Sequence, residues 1–199
     1  MGGLQGLQLL NSVERAIPEQ SLLRLLHKGF RLHPAKNLLV WKTRNVTYGE
    51  AYCKAYALAR YFRYGLGLVS GDTLLLVSRN NPEFAIVVAA AEALGVSIAL
   101  QSTLASATEA KRLFGQVHPS LVISDSDRVC SFAHQADLDS KVMGRHMAYH
   151  CIPLKKVLQR PVEVSRYDIH SDDFKESKII LFSSGSTGLP KPIVNRVSS

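Results

Sequence analysis

The chain has 199 residues, 46% of them apolar, a formal charge of +8 and three cysteines. That content supports a core for one domain or two small lobes, and the longest apolar stretch, residues 84–100, is interrupted by Glu92, Gly95 and Ser97, which argues against a membrane span. Lys and Arg against Asp and Glu stand at 10 to 3 over residues 1–66, 4 to 8 over 67–140 and 10 to 5 over 141–199, so the positive excess forms no single basic helix and no nucleic-acid partner is expected.

In chain order, the first clear signal is Thr47 with Glu50, a capping box in which each side chain would answer a backbone donor left free at a helix start. Ala51, Ala55, Leu58, Ala59 and Phe62 follow at helical spacing, and Gly65 and Gly67 mark the stop. A strand is predicted over Thr73 to Ser78. Asn81 then caps a helix that carries Pro82 in its first turn, where a missing N–H costs nothing, and that ends at Gly95. Val96 to Leu100 reads as the next strand, and Ser106 with Glu109 opens a helix with Ala110, Leu113, Phe114 and Val117 on one face. Leu121-Val122-Ile123 is a further strand, and Lys178 to Phe182 another. Strands alternating with helices of this length predict crossover units, hence an α/β fold with a parallel sheet covered on both faces.

Directly after that last strand stands FSSGSTGLPKPI, residues 182–193. Glycines that expose backbone N–H groups, hydroxyl donors and one mobile cation suit an anion, and phosphate is the expected guest. A Walker A loop fails here, because Pro190 and Pro192 occupy the places of its second glycine and its metal-binding hydroxyl. A nucleophile elbow around Ser186 fails because Ser184 stands where the first glycine belongs. A dinucleotide fingerprint lacks its third glycine. In sheets of this kind ligands sit beyond the carboxyl ends of the strands, which is where this loop falls.

Phe182, Ser183, Ser184, Gly185, Ser186, Thr187, Gly188, Pro190 and Lys191 match in order the signature of the adenylate-forming enzymes, and the stretch closely resembles that superfamily of acyl-CoA and aryl-CoA ligases, luciferases and peptide-synthetase adenylation domains. Thr47-Tyr48-Gly49-Glu50, Gly71-Asp72, Asn81-Pro82-Glu83-Phe84 and the Ala91 to Gly95 helix end are similar to the family's earlier landmarks. The resemblance covers residues 20–125 and 178–192, while 126–177 carry no landmark and read as a variable connection. It implies that residues 1–199 form a partial AMP-binding N-terminal domain, an incomplete N-terminal lobe of parallel-sheet layers with crossover helices that opens on a helix and a short hairpin.

The resemblance also implies a reaction. ATP is bound with magnesium (Mg2+), a carboxylic acid attacks the α-phosphorus, pyrophosphate leaves, and the acyl group passes to a thiol, commonly that of coenzyme A (CoA). In that scheme Ser183, Ser184, Ser186 and Thr187 donate hydroxyls to the β and γ phosphates. Gly185 and Gly188 let the backbone approach, and Lys191 neutralises charge on the departing pyrophosphate. None of them attacks anything. The family's later motifs and its C-terminal lobe are absent from the sequence, so the expectation is part of a longer ligase; the alternative is a catalytically inactive binding or regulatory chain of the same fold. A third reading, an unrelated serine hydrolase, needs a base within reach of a serine. Pro192 departs from the family's glycine, removing an N–H and pushing Lys191 towards an extended backbone.

The remaining polar groups attract weaker readings. Cys53, Cys130 and Cys151 show no metal spacing and are expected as reduced thiols, which with the lack of a signal peptide suggests a cytoplasmic or peroxisomal setting. His146 and His150 would share a helix face, but the segment around them reads as a solvated connection without further ligands. Asp172 and Asp173 project apart and are expected to face water.

Overall fold

Thr47, Asn81 and Ser106 each cap a helix in the computed structural model, which describes residues 21–102, 104, 106–142, 150–154, 156, 177–183 and 191–197. The chain opens on α1 (Leu22–Leu32), continues into a hairpin of β1 (Asn37–Trp41) and β2 (Arg44–Thr47), and enters α2 (Tyr48–Arg60). The Thr47 hydroxyl accepts the Glu50 N–H at 3.1 Å, whereas the Glu50 carboxylate runs forward to the Lys54 ammonium at 2.6 Å. Thus one half of the expected capping box forms, and the other is replaced by an ion pair one turn on. A π-helical turn, Tyr61–Gly65, ends this helix where the glycines predicted a stop, and Gly67 follows at φ 74°.

From there strands and helices alternate: β3 (Thr73–Val77), α3 (Pro82–Glu92), β4 (Ser97–Gln101), α4 (Ala107–Val117) and β5 (Leu121–Ser124). Asn81 Oδ1 accepts the Phe84 N–H at 2.8 Å and Ser106 Oγ accepts that of Glu109 at 3.1 Å, so both predicted caps hold. The stretch expected to be a plain connection contains a helix, α5 (Asp127–Val142), and a strand, β6 (His150–Pro153). Two more strands, β7 (Ser177–Ser183) and β8 (Lys191–Val197), complete a six-stranded sheet in the order β6-β5-β3-β4-β7-β8. Every pairing is parallel except β7 with β8. β8 is thus an antiparallel edge strand on an otherwise parallel sheet.

Alternate residues of the inner strands enter two separate cores, as the pleat requires. Leu74, Leu76, Ile98, Leu121 and Ile123 join a cluster with α1, α2 and α3, whereas Leu75, Val77, Ala99 and Val122 join one with α4 and α5. The strands read as unbroken apolar runs because both faces are buried. No helix among the described residues is long and apolar enough to cross a membrane.

Candidate functional site

Ser183 ends β7 and Lys191 begins β8, and the two are direct partners in the antiparallel ladder. Residues 184–190 therefore leave and re-enter the sheet at neighbouring points, at the carboxyl end of a strand that runs parallel to β4. Ser184, Gly185, Ser186, Thr187 and Gly188 lie outside the described residues. Lys191 is exposed and extended, as the following proline demands. Pro192 faces Phe182 on an edge strand, the position where a sheet tolerates a residue that cannot donate.

The same edge carries a polar network that the sequence reading did not single out. Ser78, just past β3, donates through Oγ to Asp125 Oδ2 at 3.2 Å, and the Arg79 N–H donates to the same carboxylate oxygen at 3.1 Å. Asn81 Nδ2 donates to Ser78 Oγ at 3.2 Å, which ties the cap of α3 to this link. Ser124, fully buried, donates to the Val77 carbonyl at 2.9 Å and accepts from the Ser126 N–H at 3.0 Å. The Ser78 N–H in turn reaches the Gln101 carbonyl of β4 at 3.0 Å. Together these bonds tie the segments after β3 and β5 to each other and to the end of β4, on the edge where β7 also ends. Ser78 closes the strand predicted over Thr73 to Ser78 and Asp125 lies two residues past Leu121-Val122-Ile123, so each was legible as standing near a strand's carboxyl end, but not as the other's partner.

The strongly perturbed carboxylate lies at the opposite edge. Glu92 ends α3, is 4% exposed, and accepts the Leu23 N–H at 2.9 Å, and burial raises its pKa to about 7 against the opposing pull of the Leu23 and Leu22 N–H groups. It secures the start of α1, away from the carboxyl ends of the strands. Cys53 is half-buried, and burial raises its thiol pKa.

Two expectations need correction. Cys130 and Cys151 are bonded as a disulfide, with Cα atoms 5.2 Å apart, in place of the reduced thiols expected. The cause is α5, which packs beside β6 and brings together residues 21 apart in sequence. Within the segment read as a solvated connection, His150 and Cys151 instead lie on β6 and pair with Leu121 and Val122. His146, Asp172 and Asp173 fall outside the described residues.

Among the described residues no group of three or more His, Cys, Asp or Glu side chains could hold a metal ion. Asp125 is the one carboxylate of the polar network at the carboxyl ends of the strands, and its Oδ2 already serves Ser78 and Arg79, so the described residues bring no set of carboxylates together there for magnesium.

No curated relative matches the chain by sequence. Among solved structures, the N-terminal subdomain of Klebsiella oxytoca NpsA, in complex with 3-hydroxybenzoyl-AMSN, is similar at a TM-score of 0.65 and 20% identity, over 88% of this chain and 40% of that one. The o-succinylbenzoate CoA synthetase MenE of Bacillus subtilis, in complex with its acyl-adenylate intermediate OSB-AMP, is similar at 0.63 and 20% identity, over 84% of this chain and 40% of that one. The chain thus spans about two fifths of the length of these structures, and the likeness is one of fold. A family model for the AMP-binding enzyme matches residues 26–197, a span that runs from within α1 through the six-stranded sheet to the end of β8. By that match, the chain belongs to the AMP-binding enzyme family.

Proposed function

We propose that this chain supplies the phosphate-gripping part of an ATP-dependent carboxylate ligase. The observation that carries the reading is the pairing of Ser183 with Lys191, which closes the hydroxyl- and glycine-rich segment into a loop at the carboxyl edge and puts a cation at its exit. In the proposed reaction a carboxylate oxygen of the acid attacks the α-phosphorus of ATP, the bond to the bridging β-phosphate oxygen breaks, and pyrophosphate departs. A thiol such as that of CoA then takes the acyl group and AMP leaves. Ser183, Ser184, Ser186 and Thr187 hold the β and γ phosphates with Gly185 and Gly188, and Lys191 offsets the charge that grows on the leaving group. Water-poor surroundings strengthen that last effect.

Phosphorus NMR of ATP titrated with the 199-residue chain tests this directly. The β and γ resonances should broaden and shift more than the α resonance, and Lys191→Ala should weaken binding about 10- to 100-fold, the loss of one charge-assisted bond. Resonances that stay unperturbed, or binding that ignores Lys191→Ala, would remove the basis of the reading.

A further inference from the structure

The β1–β2 hairpin forms a two-stranded sheet of its own, apart from the six-stranded one. Its tip exposes two consecutive apolar residues, Val40 at 70% and Trp41 at 41%. Neighbours along a strand point to opposite faces, so the tip is apolar on both sides. A flat protein surface would cover one of them and leave the other in water. A fluid interface surrounds both.

The charge around the tip fits one kind of fluid interface. Residues 20–49 contain Arg24, Lys28, Arg31, Lys36, Lys42 and Arg44 and not a single Asp or Glu. Arg44 reaches across to Glu83 at 2.7 Å. Lys28, Arg31, Lys36 and Lys42 are exposed, and Lys42 sits in the turn itself at φ 54°, directly after Trp41. The outer stripe of α1 repeats the combination, with Leu25 and Leu32 exposed at 45% and 60% on either side of Lys28. Tryptophan prefers the headgroup level of a bilayer, and lysine stems lie along apolar surface while the ammonium reaches for phosphate. Stacking of single-stranded nucleic acid would call for several aromatic platforms, whereas the tip offers one.

We propose that the hairpin tip is a peripheral docking element for the surface of a bilayer rich in anionic lipid, with Val40 and Trp41 wedged among headgroups and Lys36 and Lys42 on the phosphates. The site is distinct from the carboxyl edge and does not depend on the ligase reading. Attraction of this kind weakens with salt and with loss of anionic lipid.

Trp41 is the chain's single tryptophan, so its fluorescence reports on this site alone. Vesicles of equimolar phosphatidylcholine and phosphatidylserine should shift the emission to the blue, and bromine-labelled lipid should quench it. Lys36→Glu with Lys42→Glu, which keeps the fluorophore, should reduce vesicle binding by at least about tenfold, with the circular dichroism spectrum unchanged. Val40→Ser should reduce it less. Absence of both the shift and the quenching overturns the proposal, as does equal binding to pure phosphatidylcholine vesicles. So does a Trp41 already shielded from acrylamide before any vesicle is added, since protein would then cover the tip.

Discussion

On one face of the six-stranded sheet α3 packs against β4 and carries α2 and α1 as further helices, whereas on the other α4 and α5 form one layer. The difference shows in composition. In α3, Val87, Ala89, Ala90 and Ala91 are all fully buried, so the helix is apolar all round and small enough for its neighbours to approach. In α4 burial is confined to the stripe Ala110, Leu113, Phe114 and Val117. The thick face must also satisfy its polar groups without water, and the Glu92 carboxylate does so for the start of α1. The thin face ties its outermost strand to its helix through Cys130 and Cys151.

The most demanding test of this contrast is a pair of large-to-small substitutions. Phe62 and Phe114 are both buried to within 1% of completely, one in each core. Phe62→Ala should cost about 5 kcal/mol, because three packed helices cannot collapse into the void, and Phe114→Ala about 3 kcal/mol, because a single helix can settle. Urea unfolding at equilibrium measures both. Equal losses, or a larger loss at Phe114, would mean that layer thickness does not set the cost of a cavity here.

A second test uses pH. Glu92 binds its proton more tightly in the folded chain, with a pKa near 7, than in the unfolded one, where the ordinary value is about 4.3. Its contribution to stability is therefore fully present below about pH 4.3 and is lost as pH rises through about 7. Between those limits the wild type should lose about 2 to 4 kcal/mol relative to Glu92→Gln, which keeps an acceptor but does not titrate. Comparing the two proteins cancels every other titrating group. Parallel stability curves from pH 5 to pH 8 would show that the thick face lets water reach this carboxylate.

The contrast also explains which parts of the fold were legible beforehand. Thr47, Asn81 and Ser106 announce helices through local chemistry, and the runs Leu74–Val77 and Leu121–Ile123 announce strands because both their faces are apolar. α5 and β6 give no such signal. The helix mixes Asp127, Arg128, His134 and Asp137 with its apolar residues, and the strand is four residues long and ends at Pro153. Only parallel pairing with β5, some thirty residues earlier, makes HCIP a strand. The disulfide depended on both elements and was hidden with them. At the candidate site the loop could be found because its residues are consecutive, whereas the Ser78–Asp125 bond joins positions 47 apart that no spacing rule connects.

The finest test applies one chemical change to both faces and expects opposite signs. Gly29 lies in α1, where an added Cβ would run into the ring of Tyr48 at the start of α2. Gly115 lies in α4 on the solvent side, where an added Cβ meets nothing within 4 Å. Alanine at either position gains the same helix propensity, about 0.5 to 1 kcal/mol, by lowering the entropy of the unfolded chain. At Gly29 that gain is outweighed by the displacement of an aromatic ring on the crowded face, so a net loss of about 1 to 2 kcal/mol is expected. At Gly115 nothing opposes it, and the gain should appear nearly whole. The measurement is the urea midpoint of each variant against the parent, with the slope checked for constancy. Stabilisation by Gly29→Ala would show that the Tyr48 ring swings aside freely and that the thick face is looser than its burial suggests; destabilisation by Gly115→Ala would show that the outer surface of α4 is covered in solution.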